Sequence, residues 1–121
     1  MIKALFRVSV SLAVIGIIFG IVMGIRQDFT LVPAHAHLNL LGFVALFLSA
    51  LFYRSVPEAA VTPLAWYQAM ISLVGAIAFP IGIACVLLGG HSFEPVVIAG
   101  SLIVLLGMAL FAVVVFRAKS I

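Results

Sequence analysis

The sequence predicts an all-α, polytopic membrane protein of four transmembrane helices, and three observations carry that prediction. Hydrophobic residues fill 67% of the 121 positions and charged residues 7%, against roughly 45–50% apolar and about 25% charged in a soluble domain. Uncharged runs recur four times, each near the ~20 residues that cross a ~30 Å hydrocarbon core. The gaps between runs are short, so residues 1–121 read as one four-helix domain with spans at about 4–25, 34–53, 64–88 and 95–116.

The first run lies between Arg7 and Arg26. A basic start at Lys3 and Arg7 is shared with signal peptides, but the apolar part outruns an h-region and no Ala-x-Ala site follows, so a true span is expected. Gly16, Gly20 and Gly24 fall four apart on one face. Such a stripe admits a neighbouring helix at close range, or a flat ligand. The second span begins near Pro33, a residue tolerated in the first helical turn, with Thr30 able to cap slightly upstream. From Leu38 to Tyr53 it is apolar all round except at Asn39 and Ser49, and Tyr53 with Arg54 reads as an interfacial anchor at its far end.

Residues 55–63 form a short loop, after which Trp66 and Tyr67 make an aromatic belt at the start of the third span. Pro80, with Gly82 beside it, is expected to kink that helix and widen one half of the bundle. Glu94 before Pro95 is a helix-start acid favoured at the positive end of the fourth span. Gly100, Ser101 and Gly107 in that span read as packing residues.

The net charge of +3 comes from nine charged side chains, with no basic stripe for a nucleic acid to use. Those charges bear on orientation instead. Lys3, Arg7, Arg54, Arg117 and Lys119 share one side of a four-span topology and Arg26 takes the other, so the positive-inside rule places both termini in the cytoplasm of a cell whose inner (plasma) membrane holds the chain. His35, His37 and His91 then gather at the outer surface. One cysteine, Cys85, excludes an intrachain disulfide and a CxxC metal site. No paired carboxylate, nucleophile elbow or phosphate loop supports a hydrolase or transferase.

The chemistry-bearing stretch is Pro33-Ala34-His35-Ala36-His37-Leu38-Asn39-Leu40-Leu41-Gly42. Ionisable residues at membrane depth are expensive, and two of them mark a functional-site hypothesis. On a helix turning by ~100° per residue, His35 and His37 point to nearly opposite faces. Asn39 shares the His35 face, and Gly42 lies close to the same line, giving clearance for a planar group. Haem suits this arrangement, because it takes one axial imidazole from each side of the macrocycle. In a ring of identical chains, His35 of one subunit can face His37 of the next through a heterologous contact that closes. Arg26, at the same surface, is placed to pair with Asp28 or to meet a haem propionate. An outer-side copper site is the alternative: if residues 34–37 are extended, both imidazoles share a face, and His91, Met23 and Cys85 can complete a Cu(I) set. A cofactor-free membrane or assembly subunit, with the imidazoles hydrogen-bonded at the interface, is the third reading.

His35-Ala36-His37-Leu38 on a membrane helix resembles the His-x-His pair on the tenth helix of the catalytic subunit of haem-copper oxidases and nitric oxide reductases. That subunit looks like three four-helix units around a pseudo-threefold axis, with the motif on the second helix of its unit, as it is here. The resemblance implies a homotrimer imitating the twelve-helix bundle. It further implies b-type haem, with His35 as proximal ligand of one haem and His37 as ligand of a second, and a role in electron transport with an unspecified redox partner. The family's three-histidine copper site and its associated tyrosine have no counterpart in a single chain, so oxygen or nitric oxide reduction is not implied.

Overall fold

The computed structural model describes residues 1–119. Four helices in it are long and apolar enough to cross a membrane. They are α1 (Ile2–Arg26), α2 (Val32–Ser55), α3 (Pro63–Gly89) and α4 (Glu94–Arg117), and each ends within one or two residues of its expected bound. A one-turn helix, Pro57–Ala60, bridges α2 and α3, and a 3₁₀ turn, His91–Phe93, precedes α4.

Local chemistry sets each boundary. Gln27 ends α1 in the left-handed conformation (φ 52°), and the N–H groups of Gln27 and Asp28 return to the Gly24 and Met23 carbonyls in a Schellman pattern. Asp28 Oδ1 then accepts from the Thr30 N–H (3.1 Å) and hydroxyl (2.7 Å), so the link to α2 is a tight Asx turn. Thr30 is committed to that turn and does not cap α2, whose N-terminus has no side-chain cap. Pro33 does lie in the first turn of α2, as expected. Thr62 caps α3 by accepting the Ala65 N–H, with Pro63 opening the helix.

The helices pack in chain order: α1 on α2, α2 on α3, and most extensively α3 on α4. Glycines make the last seam possible. A Cβ at Gly100 would stand 2.9 Å from the Phe79 Cα, and one at Gly107 would stand 2.7 Å from the Ser72 hydroxyl; from the other side, Gly75 and Gly82 receive Val104 and the Val96–Val97 backbone. Close approach through small residues is the usual source of helix association where lipid offers no hydrophobic drive. The packing role read for Gly100 and Gly107 holds.

Two features were not expected. Leu38–Ala45, the middle of α2, is a π-helix of eight residues, far longer than the usual single-turn bulge. Tyr53 is not an interfacial anchor but a fully buried core residue, because it faces α3 and α4 rather than the membrane edge. Its hydroxyl donates to Gln68 Oε1 (2.8 Å), and Gln68 Nε2 donates onward to Ser72 (2.9 Å). Pro80 sits buried within a continuous α3, where it lines an apolar recess of about 230 Å³ with Leu12, Phe19, Leu38 and Ile81.

Candidate functional site

His35 and His37 occupy the short α-helical opening of α2, Val32–His37, so they do point apart, as helical geometry requires. Their surroundings differ. His35 faces α1, with its ring edge-on to Phe19 (centroids 5.8 Å apart) and its Cε1 2.9 Å from where a Gly20 Cβ would be. Asn39 follows on the same face and fills the space left by Gly16, and Gly42 after it receives Leu12. The stripe His35–Asn39–Gly42 therefore exists as expected, and it meshes antiparallel with Gly20–Gly16–Leu12. What occupies the clearance at Gly16, Gly20 and Gly42 is α1 against α2, whereas Gly24, the third glycine of the α1 stripe, faces open space.

His37 faces the other way, edge-on to Phe79 of α3 at 5.0 Å. Its Nδ1 lies 2.8 Å from the Pro33 carbonyl oxygen. A carbonyl only accepts, so Nδ1 carries the proton and Nε2 presents its lone pair. Metal-bound histidines are oriented by this same arrangement. His35 is held in the opposite tautomer. The Asn39 amide nitrogen lies 3.0 Å from the His35 carbonyl and 3.2 Å from its Nδ1; an amide nitrogen only donates, so His35 Nδ1 accepts and Nε2 holds the proton. His37 is thus ready to ligate through Nε2, whereas His35 must exchange the Asn39 contact first.

Residues 32–37 are helical and not extended, which removes the geometry in which both imidazoles grip one copper ion. Among the described residues no group of three or more His, Cys, Asp or Glu side chains is placed to hold a metal. His91 lies in the loop before α4, highly exposed and paired with Glu94. Glu94 does open α4. Cys85 is a half-buried free thiol.

Arg26 ends α1 and lines a recess of about 100 Å³ with Phe19, Met23, Asp28 and Leu31. The hydrogen bonds from the Thr30 hydroxyl and N–H hold the exposed Asp28 carboxyl below the usual carboxylate range, with Arg26 adding a smaller pull. Sequence reasoning missed Gln68. A glutamine within an otherwise apolar span is itself a signal, since an amide in hydrocarbon needs a partner.

No protein-family model, no characterised protein and no solved structure matches this chain.

Proposed function

We propose that the chain is a subunit of a homo-oligomeric membrane haem protein that binds b-type haem between subunits and passes electrons. The termini-bearing end is cytoplasmic and the His35–His37 end faces outward in the plasma membrane, following the excess of Lys and Arg at the termini-bearing end. The observation that carries the reading is His37, a half-buried imidazole at the end of a membrane helix, locked by the Pro33 carbonyl in the tautomer that leaves Nε2 free. Bound haem would supply reversible one-electron chemistry. His37 and the His35 of a neighbouring subunit would hold the haem, and that His35 would give up its contact with Asn39. Arg26, exposed at the same end, would face the propionates. Among the described residues, the recesses of about 390, 320 and 230 Å³ are lined by neither imidazole, which favours a site between chains.

A second reading, a cofactor-free subunit, is favoured by one observation: His35 and Asn39 already fill the Gly20 and Gly16 notches of α1. Visible spectra of the detergent-purified protein, oxidised and dithionite-reduced, separate the two. The haem reading expects a six-coordinate bis-histidine spectrum lost in His37→Ala and in His35→Ala. A colourless protein from haem-replete cells, with His35→Ala lowering only thermal stability, overturns it.

A further inference from the structure

The Tyr53–Gln68 hydrogen bond is one rung of a ladder between α2 and α3. Tyr53, Ser49 and Ala45 follow one another at four-residue spacing on α2, and Gln68, Ser72 and Ala76 do the same on α3, so each set shares a face of its helix. Tyr53 reaches Gln68 directly. One turn further on, Ser49 and Ser72 make their hydrogen bonds within their own helices, to the Ala45 carbonyl and from Gln68, and none to each other. Ser49, Ser72, Gln68, Ala45 and Ala76 instead line a single cavity of about 20 Å³. Small side chains at Ala45 and Ala76 leave that room.

The hydrogen-bonding capacity around the cavity is unevenly spent. Gln68 is 1% exposed, and its Nε2 carries two hydrogens, of which one goes to Ser72 Oγ (2.9 Å). The Ser72 hydroxyl accepts that bond, and its own hydrogen meets no acceptor among the described residues. Ser49, also buried, donates to the Ala45 carbonyl (2.9 Å) and keeps its oxygen lone pairs. Two spare donors and one spare acceptor therefore line one space, roughly 8–14 Å along α3 from Pro63 at 1.5 Å per residue. Hydrocarbon at that depth offers no partner, so leaving them unmatched is costly.

We propose that this cavity binds one structural water molecule, which accepts from Ser72 and Gln68, donates to Ser49, and so ties α2 to α3 one helical turn from Tyr53. The cavity exceeds the ~10–15 Å³ that a single water needs, and three polar partners are the usual number for a buried one. A larger ligand does not fit. The site is independent of the haem reading.

Gln27 and Gln68 are the two glutamines of the chain, the first exposed and the second in the cavity wall. Protein labelled with nitrogen-15 in its glutamine side chains therefore gives two amide signals, which a Gln27→Asn variant assigns. In deuterated detergent, Gln68 is expected to show a cross-peak at the water frequency that changes sign between laboratory-frame and rotating-frame spectra, the mark of dipolar contact with a long-lived water; proton exchange gives the same sign in both. Ala45→Val fills the cavity and keeps every donor and acceptor, so it is expected to abolish the cross-peak, whereas a signal relayed through the Ser72 hydroxyl would survive. Ser49→Ala, which cannot overpack the seam, removes the acceptor and is expected to weaken the cross-peak. An absent cross-peak in the unsubstituted protein, or one unchanged in either variant, overturns the proposal.

Discussion

His35 and His37 are two residues apart and chemically identical, yet their hydrogen bonds place the proton on different nitrogens. The cause is the neighbour four residues away in each case: a carbonyl, at Pro33, for His37, and an amide nitrogen, at Asn39, for His35. Nitrogen-15 spectra of histidine-labelled protein, assigned with single-histidine variants, are expected to show His37 protonated at Nδ1 and His35 at Nε2. Asn39→Leu should leave His37 unchanged and release His35 to the mixture of tautomers seen in free imidazole; identical tautomers at the two positions before substitution would contradict the assignment. The opposed faces of this pair, and the His35–Asn39–Gly42 stripe, were legible in the sequence because both follow from helical rotation alone. The tautomers were not, since they depend on which atoms end up within hydrogen-bonding distance, 2.8 Å for His37 and 3.2 Å for His35. Tyr53 misled for a related reason. A Tyr-Arg pair at a span end has the composition of a membrane anchor, and its inward facing shows in the structure, through its burial and its hydrogen bond to Gln68.

At the level of the helices, glycine spacing decides which neighbour can come close. Gly100 tolerates no side chain because the atom it would strike is the Phe79 Cα, which moves only if α3 moves. Gly100→Ala is therefore expected to destabilise the α3–α4 pair by about 1–3 kcal/mol, the usual result of overpacking a close contact. Gly24→Ala, where a Cβ meets nothing within 4 Å, is expected to change stability by less than about 0.5 kcal/mol. Thermal or detergent-induced unfolding of the two variants side by side measures the contrast, and equal effects would mean that the seam yields more easily than its geometry says. The lengths and boundaries of α1 to α4 could be read from apolar runs ended by charge, Gly and Pro. The π-helical middle of α2 could not, because a change from i→i+4 to i→i+5 hydrogen bonding leaves no mark in hydropathy. Its effect is nevertheless large: it winds the Tyr53 end of α2 into a different facing from the one that uniform α-helical rotation from His35 would give.

For the whole molecule, the question is what covers the surface that one chain leaves apolar. Helices packed in chain order fully bury only 11–28% of the residues in the most apolar stretch of each span, so every helix leaves apolar side chains at the surface for lipid or another copy to cover. Lipid suffices for the apolar side chains. It would not suffice for the haem proposed above, because His35 faces α1 and His37 faces α3, so one chain does not bring both imidazoles to the same haem. On that proposal, cyclic assembly would resolve this, since each interface would receive His37 from one subunit and His35 from the next. A closed ring of three chains of 12.8 kDa is the expected assembly, with one haem per interface and equal numbers of haem and chain. Mass measurement of the detergent-purified complex by light scattering, together with haem quantification, tests both numbers at once. His37→Ala should lose the pigment at every interface together, because all interfaces are equivalent. A monomer that keeps its haem would defeat the interfacial site while leaving haem binding intact; a trimer without haem would do the reverse, leaving the His35–Gly20 and Asn39–Gly16 contacts as the reason those polar residues stand in a membrane helix.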